Sequence, residues 1–245
     1  MNRPQKPLIY LIGIGGIGIS ALARWFLAQN WAVSGSDLSE SLITRDLKKK
    51  GCKVKIGHKK ANLPRDAVLV IYNQAIPGGN PELRAARERR IPCLSYPEAV
   101  GALTRMYRTV AIAGAHGKST TTALVALVLE KAGLDPTVIV GTKLREFGGK
   151  SFRKGKDAWL VLEADEFGRA FLHYSPAVAV VTNIDREHLD VYKNLAGVKS
   201  TFLKFLSRTD RGGILVLNKD DKNLFSLRNK IKRIAQKRNL KIIWF

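Results

Sequence analysis

One short loop constrains the fold of this chain more than any other feature. Segment 113–122 holds two glycines, a lysine and a run of hydroxyl residues, between a β-rich run at 108–113 and a helical apolar pattern at 121–132. A strand, a glycine-turned loop and a helix in this order bring backbone N–H groups and a helix N-terminus to one point, where they bind phosphate. We expect Lys118 to reach the β- and γ-phosphates of a nucleotide and the Ser119 hydroxyl to ligate Mg²⁺.

This loop is shorter than the general P-loop pattern. That pattern has four residues between its glycines, whereas two residues separate Gly114 from Gly117. A glycine-rich turn capped by hydroxyl residues before an ordinary helix is the plain alternative. The order of strand, loop, lysine and hydroxyl favours phosphate binding. The ATP-binding candidates are Gly114, Ala115, His116, Gly117, Lys118, Ser119 and Thr120.

Apolar, strand-like runs alternate with helical patterns along the whole chain. This βαβ rhythm, with continuous apolar runs, is typical of parallel strands covered on both faces. We therefore expect an α/β protein in which a Rossmann-like parallel-sheet domain (1–106) is followed by a P-loop ATPase α/β domain (107–245). The predicted strands are 8–12, 32–36, 67–71, 108–113, 137–140, 159–162, 177–181, 213–217 and 241–245; the predicted helices include 19–29, 42–50, 97–103 and 121–132.

The last of these runs, 241–245, has the composition of an interior strand with nothing after it. A natural domain seldom stops at such a strand. We therefore expect the chain to be a fragment of a longer one, or a protein without its last domain.

The chain is strongly basic. Its 245 residues include 42 lysines and arginines against 20 aspartates and glutamates, a net charge of +22. This balance implies anionic partners, which include nucleic acid, an anionic membrane and small phosphorylated ligands. In runs such as 228–241 the basic residues alternate with apolar ones, which favours solvated helix faces over a nucleic-acid groove. Nucleic acid is therefore not the expected partner.

The two cysteines and the hydropathy pattern limit the cellular setting. Cys52 and Cys93 lie far apart and match no metal-ligand spacing, so both are predicted to be buried small hydrophobic residues in a reducing compartment. No apolar segment is long enough to span a bilayer, so no membrane insertion is expected and the prediction is a cytoplasmic protein.

A second glycine-rich loop, 13–18, follows the first predicted strand and opens a helix, and Asp37 ends the next predicted strand. This is a dinucleotide-type fingerprint, in which glycines admit a diphosphate and the carboxylate accepts ribose hydroxyls. The pattern does not separate NAD from a UDP-sugar, and a tight βα turn without a ligand is a further alternative. The candidate UDP-sugar-binding residues are Gly13, Gly15, Gly16, Gly18 and Asp37.

Carboxylates follow two further predicted strands. The acidic segment 163–166 comes directly after 159–162, and His188 lies in a second acidic segment after 177–181. The carboxyl ends of parallel strands form the ligand-binding edge of an α/β sheet, and carboxylate oxygens there suit Mg²⁺ beside a triphosphate. The alternatives are a solvated acidic turn and a histidine with a structural hydrogen bond.

Taken in order, these motifs resemble those of the Mur ligase family. They are Gly13-x-Gly15-Gly16-x-Gly18, Ser34-Gly35-Ser36-Asp37, Asn80-Pro81-Glu82-Leu83, segment 114–121, Glu163-Ala164-Asp165-Glu166 and segment 182–190. The resemblance covers nearly the whole chain and is greatest to the members that join L-alanine to UDP-N-acetylmuramate. It implies a UDP-sugar domain, most of a central ATPase domain, and the lack of the family's third, C-terminal domain.

The resemblance also implies a reaction, which is ATP-dependent amide formation for peptidoglycan synthesis. In it the muramate carboxylate attacks the γ-phosphorus, and the amine of L-alanine captures the resulting acyl phosphate. Position by position, Lys118, Glu163 and His188 are the implied catalytic residues. Ser119 with Glu163 and His188 would hold Mg²⁺.

The sequence departs from the family pattern at two places. Asn73 and Gln74 stand where small hydroxyl residues usually precede Ala-Ile, and Gly168 stands where an aspartate is common. Because the amino-acid site belongs to the missing domain, we expect weak or no turnover by this chain alone. Other hypotheses are a non-catalytic UDP-sugar and ATP-binding module, the ligase that adds recycled tripeptide to the same sugar, and an NAD-dependent oxidoreductase.

Overall fold

The computed structural model of the protein describes residues 6–187 and 189–245, with the side chains of residues 189 and 190 outside that description. The chain divides into two compact units between Ala99 and Val100. The domain boundary predicted near residue 106 lies at the end of a helix, Tyr96–Met106, that crosses this division. The division into domains 1–106 and 107–245 therefore stays a prediction.

The first unit is a parallel sheet with helices connecting its strands. Its strands are β1 (Leu8–Ile12), β2 (Ala32–Asp37), β3 (Lys53–Ile56), β4 (Ala67–Tyr72) and β5 (Cys93–Ser95). Its helices are α1 (Ile17–Ala28), α2 (Leu42–Lys49), α3 (Pro81–Glu88) and the start of α4 (Tyr96–Met106). In the described part of the chain the strand order is β3-β2-β1-β4-β5, and every neighbouring pair is parallel.

Buried apolar strands and capped helices stabilise this unit. The central strand β1 is buried from Ile9 to Ile12, and each fully buried aliphatic side chain of this kind contributes about 1.5–3 kcal/mol. Ser41 and Thr44 form a reciprocal capping box at the start of α2. Asn80 caps α3 by accepting hydrogen bonds from two backbone N–H groups of its first turn. Such caps satisfy N–H groups that a helix cannot pair internally.

The second unit is a larger sheet. Its strands are β6 (Arg108–Ala113), β7 (Thr137–Leu144), β8 (Lys150–Arg153), β9 (Trp159–Glu163), β10 (Val178–Val181), β11 (Ile214–Leu217) and β12 (Lys241–Trp244). Its further helices are α5 (Lys118–Lys131), α6 (Leu189–Tyr192), α7 (Leu195–Leu206), α8 (Lys222–Phe225) and α9 (Arg228–Arg238). Among the described residues the order is β12-β11-β10-β6-β9-β7-β8. β6 therefore lies inside the sheet, between β10 and β9.

The predicted strands are confirmed as parallel strands, but the sequence analysis missed three others. The missed strands are β3, β5 and β8, of which β8 pairs antiparallel with β7. All three are short, with three or four residues, so they give too little apolar pattern to identify them. The hairpin of β7 and β8 turns through Gly148 and Gly149, both at positive φ.

The structure also bears on the predictions for the two cysteines and for membrane-spanning helices. Cys52 is buried, but Cys93 is half-buried, so the prediction that both are buried is wrong for Cys93. The reason is that Cys93 lies on β5, an edge strand whose residues are all half-buried. None of the helices in the described residues combines the length and the hydropathy that a membrane span requires.

Candidate functional site

The loop after β6 turns directly into helix α5. Gly117 is the N-cap of α5 and has φ of 79°, a left-handed conformation that glycine adopts without steric cost. The loop is held from the end of β10, because His116 N donates to Asn183 Oδ1 over 2.8 Å. Thr182 Oγ1 and Asn183 Nδ2 both donate to His116 O. The loop and the helix N-terminus therefore have a fixed position at the carboxyl end of the sheet.

Lys118 begins α5, and its ammonium group lies inside the loop. Its Nζ donates to Gly114 O over 2.7 Å and to Ala115 O over 3.2 Å. It also lies 3.1 and 3.0 Å from Glu166 Oε1 and Oε2. The side chains are 13% exposed for Lys118 and 2% exposed for Glu166, so this ion pair is almost completely buried. The prediction that Lys118 contacts nucleotide phosphates stays a prediction.

The environment of Glu166 is unusual for a carboxylate. Burial raises the pKa of Glu166, and the opposite charge of Lys118 offsets that rise only in part. Tyr192 OH donates a hydrogen bond to the backbone oxygen of Glu166. The pKa of Tyr192 is raised to about 12, first by its burial and then by the negative charge of Glu166. Glu166 is thus packed into the unit, unlike a residue of a solvated turn, whereas the neighbouring Asp165 is exposed.

Ser119 and Glu163, two of the predicted metal-binding residues, lie side by side. Ser119 Oγ donates to Glu163 Oε1 over 3.1 Å, and Gly141 N donates to Glu163 Oε2 over 2.6 Å. A hydroxyl and a carboxylate are oxygen donors, which suit a hard cation such as Mg²⁺. The described residues hold no cluster of three or more His, Cys, Asp or Glu side chains suited to a metal. His188, the third predicted ligand, lies outside the described residues.

His116 connects the glycine-rich loop before α5 with the acidic segment after β10. His116 Nε2 lies 3.5 Å from Asp185 Oδ2, and His116 Nδ1 lies 3.4 Å from Glu187 Oε1. A hydrogen bond from Arg186 N–H lowers the pKa of Asp185, and His116 adds to the effect. The sequence analysis predicted His116 as an ATP-binding residue, which stays a prediction, and did not predict these contacts, which depend on the adjacency of β6 and β10.

In the first unit, Asp37 holds the glycine-rich loop. Gly15 N donates to Asp37 Oδ2 over 2.8 Å, so one carboxylate oxygen is engaged by the loop itself. A Cβ atom on Gly16 would lie 2.6 Å from Asn73 Nδ2, closer than van der Waals contact permits. The loop, Asp37 and Asn73 line a cavity of about 360 Å³. Three of the predicted residues, Gly13, Gly15 and Gly16, line this cavity with Asp37; Gly18 instead faces the ring of Tyr96.

Two residues that line this cavity, His58 and Asn73, were not predicted as site residues from the sequence. His58 lines the cavity, and its Nδ1 lies 3.0 Å from Oε2 of the fully buried Glu82. Its Nε2 is buried and has no hydrogen-bond partner among the described residues. Asn73, noted before only as a departure from the family pattern, packs against Gly16 and accepts a hydrogen bond from Ala75 N. His58 follows a short, polar strand, so its place gave no signal in the sequence.

Both units place a glycine-rich loop between a buried parallel strand and a helix, which defines an α/β protein of the nucleotide-binding class. Sequence profiles agree with this class in detail: the Mur ligase family, catalytic domain, matches residues 8–108, and the Mur ligase middle domain matches residues 112–244. The chain belongs to the Mur ligase family.

Individual relatives support the same assignment. The UDP-N-acetylmuramate--L-alanine ligase of Aquifex aeolicus is 43% identical over 93% of this chain and 50% of its own length. The crystal structure of a UDP-N-acetylmuramate-alanine ligase from Thermotoga maritima, 33% identical, has a TM-score of 0.80 over 89% of this chain and 50% of that one. The chain spans about half the length of the curated relatives that it matches.

A second solved ligase is also similar in fold. The UDP-N-acetylmuramate:L-alanyl-gamma-D-glutamyl-meso-diaminopimelate ligase from Neisseria meningitides is 25% identical, with a TM-score of 0.85 over 98% of this chain and 78% of that one.

Proposed function

We propose that this chain supplies the UDP-sugar-binding and ATP-binding parts of a ligase that joins L-alanine to UDP-N-acetylmuramate. The main support is its 43% identity, over 93% of its length, to a relative named for that reaction. In the reaction the muramate carboxylate attacks the γ-phosphorus of ATP and displaces ADP. The amine of L-alanine then attacks the acyl phosphate, forms the amide bond and releases phosphate.

The second unit has the groups that phosphoryl transfer needs. Little covalent chemistry is required of the protein, because most of the catalysis is positioning and charge neutralisation. The N-terminus of α5 directs free backbone N–H groups toward the loop, and Lys118 adds a full positive charge there. We assign the β- and γ-phosphates of ATP to this loop, residues 114–120.

The oxygen donors of the same unit fit a magnesium ion. Ser119 and Glu163 present a hydroxyl and a carboxylate 3.1 Å apart at the start of α5. We propose that these two residues hold Mg²⁺, with His188 as a further ligand. When bound, the ion would neutralise phosphate charge. Glu163 is kept in position by the N–H group of Gly141, so its carboxylate is oriented before a ligand arrives.

The first unit is proposed to bind the UDP-sugar. The diphosphate is assigned to the glycine-rich loop, where α1 begins. Asp37 and His58 line the same cavity, and their side chains are assigned to the hydroxyl groups of ribose. The second carboxylate oxygen of Asp37 also accepts a hydrogen bond from Ser39 N over 3.4 Å. Glu82 beside His58 Nδ1 favours the tautomer that protonates Nδ1, which leaves Nε2 as an acceptor.

The ligase that attaches tripeptide to the same UDP-sugar is the second candidate. The specific observation in its favour is the TM-score of 0.85 with the Neisseria enzyme, against 0.80 with the Thermotoga enzyme. The higher sequence identity to alanine-adding relatives supports the first candidate. Both candidates use UDP-N-acetylmuramate, so the test of the sugar site serves both.

Calorimetric titration with UDP-N-acetylmuramate, with NADH as the comparison, tests the first unit. We expect saturable binding of the UDP-sugar that is lost in Gly16→Val, because valine would collide with Asn73 and displace the loop. Gly79→Val is the matched control, since a Cβ atom at Gly79 meets nothing within 4 Å. Binding of NADH without binding of the UDP-sugar would overturn the ligase assignment.

We propose that turnover by this chain alone is weak or absent, because it covers about half the length of its relatives. The measurement is phosphate release from ATP in the presence of UDP-N-acetylmuramate, with and without L-alanine. Robust alanine-dependent release would show that the uncovered half is dispensable. Where release is measurable, replacing L-alanine by the tripeptide in the same assay separates the two candidate ligases.

A further inference from the structure

The ammonium group of Lys118 has more acceptors around it than it has protons to donate. A lysine ammonium has three N–H donors. Four oxygen atoms lie within 3.2 Å of Lys118 Nζ: Gly114 O, Ala115 O and both carboxylate oxygens of Glu166. Its hydrogen-bonding capacity is therefore fully used. A phosphate oxygen can reach this ammonium group only by displacing one of these acceptors.

Glu166 is the acceptor that a phosphate would replace. The two carbonyl groups belong to the loop backbone, whereas Glu166 is an anionic side chain 48 residues away in sequence. A carboxylate and a phosphate are alike as acceptors for a cation, because both form charge-assisted hydrogen bonds. The Glu166 carboxylate therefore accepts from Lys118 Nζ in the way that a nucleotide phosphate would.

The backbone of Glu166 is anchored. Its carbonyl oxygen accepts hydrogen bonds from Tyr192 OH and from Arg169 N, the latter over 2.8 Å. The neighbouring Asp165 O accepts from Phe171 N over 3.1 Å. With its main chain held at these points and its side chain 2% exposed, Glu166 has little freedom to turn its charge into solvent. Its negative charge would therefore stay close to phosphates that approach Lys118.

We propose that Glu166 is a positioning residue that holds Lys118 in the nucleotide-free protein and competes with the nucleotide phosphates for it. Glu166 thereby lowers the affinity for ATP while it keeps the lysine inside the loop. This inference rests on the proposed ATP site at residues 114–120. It assigns to Glu166 a role different from that of Glu163, which contacts Ser119 and Gly141 and not Lys118.

Equilibrium binding of ATP in EDTA, measured by calorimetry, tests the competition without a metal ion. Glu166→Gln keeps the shape of the side chain and removes its charge, so we expect it to bind ATP about 10-fold more tightly than the unaltered chain. Asp165→Asn is the matched control. Asp165 is 55% exposed and 4.0 Å from Lys118 Nζ, so removal of its charge is expected to change the affinity less than about 2-fold.

The outcomes are distinguishable. Equal or weaker binding of ATP by Glu166→Gln, with clear binding by the unaltered chain, would overturn this inference and leave the ATP site intact. Absence of ATP binding in both proteins, with Mg²⁺ as well as in EDTA, would overturn the ATP site and the inference together. If Glu166→Gln fails to fold, Glu166→Asp replaces it: withdrawal of the carboxylate by one methylene should tighten ATP binding by a smaller factor, and unchanged or weaker binding would contradict the proposal.

Discussion

Glu82 Oε2 lies 3.0 Å from His58 Nδ1, and the side chain of Glu82 is fully buried. The same carboxylate also accepts hydrogen bonds from Ser36 Oγ, Lys59 N and Asn62 Nδ2. These partners come from two segments of the first unit, β2 and the segment after β3, so one carboxylate on α3 connects α3 to both. Because His58 lines the cavity beside the glycine-rich loop, this buried network determines how the imidazole is presented to a ligand.

Glu82→Ala should destabilise the first unit strongly. It leaves several buried donors without an acceptor, and each such loss costs about 1–3 kcal/mol. The expected decrease in unfolding free energy is about 2–5 kcal/mol, measured by urea denaturation. Glu88→Ala on the same helix is the control, because Glu88 forms an exposed ion pair with Lys60, and its loss should barely move the midpoint. Equal effects of the two substitutions would contradict the network.

Lys118→Met should have two effects. ATP binding should fall at least about 100-fold, because a charge in the phosphate loop is lost. The protein should also be less stable, because the buried Glu166 loses its partner. Lys118→Met combined with Glu166→Gln should recover most of the stability and none of the ATP binding. Thermal unfolding and calorimetry measure the two effects, and Lys131→Met at the other end of α5 is the control.

The stability cost of Lys118→Met should depend on pH. Burial raises the pKa of Glu166 above its ordinary value of 4.5, and removal of Lys118 removes an influence that lowers this pKa. A carboxyl group with a raised pKa in the folded state stabilises the fold below its unfolded pKa and loses that contribution as pH rises. The difference in melting temperature between Lys118→Met and the unaltered chain should therefore be larger at pH 7.5 than at pH 4.5. A difference independent of pH would show that Glu166 is not the cause.

Tyr192→Phe should weaken the anchoring of the acidic loop. It removes the hydroxyl that donates to Glu166 O, and such a buried hydrogen bond contributes about 1 kcal/mol. For a protein of this size the melting temperature should fall by about 2–4 °C. Tyr72→Phe, at a half-buried position at the end of β4, is the control. An unchanged melting temperature for Tyr192→Phe would mean that the hydroxyl contributes no net stability.

Cys52 should react slowly with alkylating reagents in the folded protein. Burial raises the pKa of its thiol to about 11, so at pH 8 only about one thiol in a thousand is the reactive thiolate. Cys93, which is half-buried with a pKa raised by burial, should be alkylated faster. Peptide mass spectrometry after iodoacetamide treatment measures both rates, and the urea-unfolded chain is the control in which the two rates should become similar.

Much of the fold was predictable because its signals are local. The apolar runs of β1, β6 and β10, the glycine-rich loops and the helix after each loop all appear within a few consecutive residues. Their order also carried the resemblance to the Mur ligase family, which the profile matches over 8–108 and 112–244 confirm. The strands missed were those too short to show a period, such as β5 with three residues.

The sequence alone thus determined the α/β class, the glycine-rich loop between β6 and α5 and the family, since these depend on local periodicity and on glycine at fixed spacing. Only the tertiary structure decided which distant groups meet. Lys118 pairs with Glu166, 48 residues away, because β6 and β9 are neighbours in the sheet. Glu82 meets His58 because α3 packs beside the segment after β3. Strand order and side-chain burial set these contacts and their electrostatics, and neither is encoded in any short stretch of the chain.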